Sequence, residues 1–383
     1  MSFEVDVERL RRRRTVKWTL YGPEVLAAWV AEMDFDVAPA VRDALLEAVE
    51  RQDFGYVAAD LGDLTTAVAR FLDNAYDWEV APTRVFPVAD VLTGIAAALA
   101  ALVPPTTAVV VPTPAYPPFF EVIGLAGRPV VPAPMRQDAT GDSLDLDVID
   151  TALAAGAGAV LLCSPHNPTG RVFGAEELRA LAAIVDRHGA RVIADEVHAP
   201  LTYPGHRHIP YATVSDAAAD HAITITSASK AFNLAGLKCA QVIASNHADA
   251  ARWRALGGFE VAGPTPIGIA ASIAAYRDAT DWLHDLVARL DEIRDLLGTL
   301  LSSEVPGIEY RPPEATFLAW LDCSRLDLDD PARFFLDHAR VALSDGPPFG
   351  AGCEAYVRLN FATSPAVLTR IVEAMGAAVR ESR

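Results

Sequence analysis

A lysine follows two serines in Ser227-Ala228-Ser229-Lys230, just where the apolar run Ala222-Ile223-Thr224-Ile225-Thr226 ends. An ammonium buried at a strand tip is expensive unless its amine has a chemical role. The same burial lowers its pKa and frees the amine to capture a carbonyl-bearing cofactor as a Schiff base. The neighbouring hydroxyls are placed to hold a phosphate. Asp195 ends a second apolar run, from Arg191 to Ala194. A carboxylate there needs a cationic partner, and a protonated ring nitrogen is one. Alone, Asp195 would read as a cap or turn residue; with Lys230 one strand away, the ring reading gains.

Other groups fit around the same flat, phosphorylated ring. Asn167, in Ser164-Pro165-His166-Asn167-Pro168-Thr169-Gly170, can donate its amide to a ring oxygen, although Asn-Pro by itself is a common turn. Tyr116 follows an apolar run and could stack on the ring or simply pack in the core. His198, three residues after Asp195, is either a cofactor contact or a core histidine. Asp90-Val91-Leu92-Thr93-Gly94 opens a helical pattern whose first amides suit a phosphate. Asp90 itself is at odds with an anion, though it is an ordinary N-cap. Arg358 lies in a strand-like run, where a buried guanidinium calls for an anion; a substrate carboxylate held bidentately is one, and a structural ion pair is the alternative. His206 and His208 sit in a turn-rich stretch that reads as surface, and receive no role. An aldehyde captured by lysine, a charged ring nitrogen and a phosphate together describe pyridoxal 5′-phosphate (PLP).

Elements must bring these groups together. Strands are predicted at 108–111, 129–131, 159–163, 191–194, 222–226 and 240–244, with the amphipathic stretch 175–186 between the third and fourth. Near-continuous apolar strands joined by helices predict an α/β fold with a mixed, mostly parallel sheet covered by helices. Ligands in such sheets bind beyond the carboxyl ends of the strands, where Asn167, Asp195 and Lys230 fall. Leucines and an isoleucine at helical spacing between Trp282 and Leu301 predict a long helix leading into a smaller C-terminal α/β domain. The expected division is 1–40 as an N-terminal segment packing on the small lobe or a partner subunit, 41–280 as the large cofactor-binding domain, and 281–383 as the small domain.

Bulk properties narrow the class. The 383 residues are 51% hydrophobic and carry a net charge of −18, with a pI of about 4.9. Such acidity argues against nucleic acid or an anionic membrane as partner. Arg11 to Arg14 form the one basic run, read as a solvated helix end or a subunit contact. Cys163, Cys239, Cys323 and Cys353 are scattered without a CxxC pair, which points to a reduced cytoplasmic enzyme with neither disulfides nor a metal site. No stretch is apolar enough to span a bilayer, and the acidic start does not read as a signal peptide.

The ordered set of motifs resembles the fold-type I PLP-dependent enzymes, the aspartate aminotransferase superfamily, over nearly the whole chain. Trp29-Val30-Ala31-Glu32-Met33-Asp34-Phe35, Phe54-Gly55-Tyr56, Asp195-Glu196-Val197-His198, Ser229-Lys230-Ala231-Phe232-Asn233 and Val357-Arg358-Leu359-Asn360-Phe361 are similar to its cystathionine β-lyase (C–S lyase) branch. The resemblance implies Lys230 as the Schiff-base lysine and catalytic base, Asp195 on the pyridine nitrogen, Asn167 on the ring oxygen and Tyr116 stacked on the ring. It implies Ser227 and the amides of Val91 and Leu92 on the phosphate, and Arg358 with backbone near Ala31 on the substrate carboxylate. It further implies a homodimer in which Tyr56 reaches the phosphate of the other subunit. Many superfamily members carry an arginine eight residues after the Schiff-base lysine. Here that position is Lys238, expected to supply the phosphate's counter-charge and to offset Asp90. The implied reaction is β-elimination from an S-substituted L-cysteine, giving pyruvate, ammonia and a thiol; aminotransfer is the alternative outcome, and a specialised-metabolism PLP lyase a further one.

Overall fold

The computed structural model describes residues 3–138, 141–256 and 261–382. It divides into two compact units. One takes in the N-terminal residues as far as Asp36, the loop His166–Arg171 and the chain from His284 onward; the other comprises Val37–Pro165 and Val172–Leu283.

The larger unit is built on seven strands: β1 (Val85–Val88), β2 (Val109–Thr113), β3 (Val130–Pro134), β4 (Ala159–Cys163), β5 (Arg191–Asp195), β6 (Ala222–Thr226) and β7 (Ala240–Ala244), in the order β1-β7-β6-β5-β4-β2-β3. Strands β2 to β6 run parallel, while β7 is antiparallel to both β6 and β1. All residues of β2, β4, β6 and β7 are buried, as expected of strands covered on both faces. The direction of β7 matters for the site. Because β7 starts where β6 ends, with Gln241 opposite Thr226 and Ala240 opposite Val88, the segment just before β7 and the segment just after β1 meet at the edge where Asp195 and Thr226 end their strands.

Helix α1 (Val91–Leu102) leaves that edge, capped by Asp90, whose carboxylate accepts from the Thr93 N–H at 2.8 Å. It lies close on the sheet. A Cβ at Gly94 would stand 3.0 Å from Val242 Cγ2 and 3.2 Å from Ile225 Cγ2. Helix α2 (Ala175–Arg187) joins β4 to β5 with Leu178, Leu181, Ala182 and Val185 inward.

In the smaller unit, strands β8 (Glu309–Tyr310), β9 (Leu318–Asp322), β10 (Ser344–Asp345) and β11 (Tyr356–Asn360) form an antiparallel sheet in the order β8-β9-β11-β10. The two-residue strand Leu26–Ala27 pairs in parallel with Val341–Ala342. Helix α3 (Thr280–Glu304) buries Leu286, Leu290, Ile293 and Leu297 along one stripe. Among the described residues no helix is long and apolar enough to cross a membrane.

Candidate active site

Within the larger unit, the predicted residues converge on the carboxyl edge of the sheet. Asp195 closes β5 at 5% exposure. Burial pushes its carboxyl up to about 7; the Val197 N–H, at 3.1 Å from Oδ1, and the positive charge of Lys230 pull the other way. Asp195 is thus both a turn acceptor and a buried acid whose ionised form lacks enough positive charge around it. Lys230 stands on the single helical turn Ala228–Ala231 that follows β6. It is half-buried rather than enclosed, since that turn lifts it beyond the strand tip.

Ser227 caps this turn. Its Oγ accepts from the Ser229 N–H at 3.1 Å and donates to the Cys239 carbonyl at 2.7 Å, tying the start of β7 to the end of β6. The antiparallel approach of β7 brings Lys238 Nζ within 2.7 Å of Asp90 Oδ2. Burial raises the Asp90 carboxyl, but the hydrogen bonds from Lys238 and Thr93 outweigh it and hold the group below the usual carboxylate range. Asp90 is therefore offset, as the sequence suggested. The amides of Val91 and Leu92 occupy the first turn of α1, where helical geometry leaves N–H groups without intrahelical acceptors. Tyr116 follows β2 and meets Phe119 edge-on at 5.5 Å. His198 is buried.

In the smaller unit, Asn167, Arg358 and Ala31 are all buried. Arg358, on β11 between Trp320 and Ser344, donates from Nη1 to Asn167 Oδ1 at 2.9 Å, and from Nη2 to Ser344 Oγ at 3.1 Å and the Trp29 carbonyl at 3.2 Å. Its guanidinium carbon lies 5.1 Å from the Phe349 ring centroid. These three partners are neutral, and they orient the fork. The Asn167 loop is set by Gly170, whose φ of +73° and whose crowding against Pro313 and the Ala315 carbonyl exclude a side chain.

Some readings change. His208 is buried, not part of an exposed loop: its Nε2 lies 3.2 Å from Glu196 Oε2, and its ring meets Tyr76 edge-on. His206 is exposed. The basic run is not simply solvated either, because Arg13 donates to the carbonyls of Met33 and Asp34. Sequence reasoning passed over Lys17 and Trp18. Lys17 Nζ lies 2.8 Å from Asp34 Oδ1, both side chains being 1% exposed, and Trp18 Nε1 donates to the same oxygen at 2.9 Å. Lys17 and Asp34 are seventeen positions apart in the chain, and no local pattern links them. The four cysteines are free and buried; burial pushes the thiols of Cys239 and Cys353 up to about 11 and that of Cys323 to about 12.

A model of the aminotransferase class I and II family matches residues 30–375, and the chain belongs to that family. It is 39% identical to a cystathionine β-lyase of Corynebacterium glutamicum, over 94% of this chain and 95% of the relative. A solved structure from Corynebacterium diphtheriae, described as a candidate PLP-dependent β-cystathionase, superposes with a TM-score of 0.93 at 41% identity, covering 98% of each chain. The PLP-bound C–S lyase of Staphylococcus hominis matches with a TM-score of 0.91 at 26% identity, over 100% of this chain and 99% of that one.

Proposed function

We infer that this protein is a PLP-dependent carbon–sulfur β-lyase of the cystathionine β-lyase type. The observation that carries the reading is that Asp195 and Lys230 lie at one sheet edge, within each other's electrostatic influence, where a buried carboxyl is pushed up to about 7. A protonated pyridine nitrogen is the cation that would restore its charge. The other residues fit the same group: Lys230 to bind its aldehyde carbon, Asn167 its ring oxygen, Tyr116 its face, with His198 beside it. The amides of Val91 and Leu92, and Lys238, would hold its phosphate, Lys238 sharing its charge between phosphate and Asp90; Ser227 would join them only by turning its one hydroxyl proton away from the Cys239 carbonyl it now bonds.

Bound PLP would supply the sink for electrons released at the substrate Cα. Arg358, with the backbone around Ala31, binds the substrate carboxylate through its fork. Asp195 keeps the proton on the ring nitrogen. Lys230, as a free amine, removes the Cα proton. The overall balance is loss of Cα–H and of Cβ–S, with water consumed, to give a thiol, pyruvate and ammonia.

A homodimer is part of this reading. Leu46, Val49, Phe54 and Tyr56 are exposed within one short stretch, Tyr56 completely so, beside a groove of about 700 Å³ lined by Arg51, Tyr56, Leu61, Ile269 and Ile273. A second copy covering that stretch would carry Tyr56 toward its phosphate. The buried free thiols suit a reducing cytoplasm.

The test is incubation of the PLP-loaded protein with L-cystathionine and S-alkyl-L-cysteines, with pyruvate and free thiol measured. Pyruvate formed without a keto-acid acceptor supports the lyase. Turnover that requires such an acceptor assigns an aminotransferase, the other chemistry of this family.

A further inference from the structure

The segment Trp29–Asp34 is gripped from two sides. From the sheet, Arg358 Nη2 and Ser344 Oγ donate to the Trp29 carbonyl, and Asn360 Nδ2 donates to the carbonyls of Val30 and Glu32, each at 2.7 Å. From the N-terminal side, Lys17 Nζ donates to the Glu32 carbonyl at 2.9 Å while paired with Asp34, and the Trp29 indole N–H donates to the Lys17 carbonyl at 3.2 Å. Ala31 sits in the middle of this segment. An ion pair so deeply buried is weak evidence for stability, because desolvating both ions offsets most of their attraction. What the pair does provide is direction: three donors on one ammonium can fix a carbonyl and a carboxylate at once.

We propose that Lys17 is a positioning residue for substrate recognition: its ammonium, anchored on Asp34, holds the Glu32 carbonyl and thereby sets the Trp29–Asp34 backbone against which Arg358 is aimed at the substrate carboxylate. The proposal rests on the β-lyase reading, in which Arg358 takes that carboxylate. Lys17 touches neither substrate nor cofactor in this role. Its effect is confined to carboxylate binding, leaving the Lys230 chemistry in the other unit unchanged.

The experiment compares the holoenzyme with Lys17→Met and with Lys17→Met/Asp34→Leu, the second replacing the whole pair by apolar groups. Four quantities are read: thermal midpoint, PLP affinity by equilibrium dialysis, kcat and KM for S-methyl-L-cysteine, and calorimetric binding of 3-(methylthio)propionate. That probe keeps the carboxylate and thioether but lacks the amine. Lys17→Met is expected to raise KM and the probe's Kd by about tenfold, the scale of one hydrogen bond to a charged group. PLP affinity and kcat should stay within about twofold, the split expected when ground-state binding alone is lost. The double variant is expected to recover the thermal midpoint but not KM. Recovery of both, an unchanged KM in either variant, or a parallel fall in kcat and PLP affinity overturns the proposal. If the single variant does not fold, the double variant's KM and probe affinity decide it. Failure of the wild type to bind PLP would instead count against the β-lyase reading, and the probe would still report on Lys17.

Discussion

Asp34 and Asp195 are both buried carboxylates, in different units, and they are finished to different degrees. Asp34 has an ammonium at 2.8 Å and an indole N–H at 2.9 Å, so the fold itself completes its surroundings. Asp195 has one backbone N–H and the field of Lys230, and burial wins over both. A charge the fold completes acts as a brace. A charge it leaves incomplete is a candidate binding site for what is missing; in the proposed reading the missing part is a cation on a flat ring.

The sharpest way to break this contrast is at Lys230. Lys230→Ala should lower β-elimination by about 10³-fold or more, since nucleophile and base are lost together. The Schiff-base absorbance band should vanish with it. Next comes Asp195→Asn, which removes the charge opposite the ring nitrogen and should lower kcat by about 10²- to 10³-fold. Asp34→Ala should do the reverse: it leaves Lys17 uncompensated and destabilises the protein by about 3–5 kcal/mol in denaturant titration, with little change in PLP affinity.

A pH experiment sharpens the comparison further. Because its carboxyl is raised to about 7 from 3.8, folded Asp195 binds its proton more tightly than the unfolded chain does. The stability contribution is therefore favourable at low pH and is lost as pH climbs from about 4 to about 7. Thermal unfolding of the cofactor-free protein should show Asp195→Asn gaining on the wild type across that window. The comparison cancels His166 and His221, which burial lowers to about 4 from 6.5 and which change stability in the opposite direction over similar pH. PLP should narrow the gap. The smallest effects belong to the exposed pair Lys238–Asp90: Lys238→Met should change stability by less than about 1 kcal/mol, while weakening PLP binding measured by dialysis.

Much of the larger unit was legible because its strands are short, apolar and buried on both faces. Strands at 159–163, 222–226 and 240–244 fall where the apolar runs lie. Strand β1 was not foreseen, since Pro87 in Val85-Phe86-Pro87-Val88 argues against a sheet position that only an edge strand permits. The pairing of Leu26–Ala27 with Val341–Ala342 is too short to show any periodicity. Lys17 was passed over and His208 read as surface for a shared reason. Polar residues amid turns look solvated until a distant element closes over them, and neither Asp34 nor Glu196 announces its partner.

Gly94 carries one last consequence. With Val242 and Ile225 so near, a methyl group at that position would press on their side-chain methyls and on the contact between the first turn of α1 and the sheet. If the leading amides of α1 seat a phosphate, as proposed, even alanine there should loosen the hold on a phosphorylated ligand without touching it.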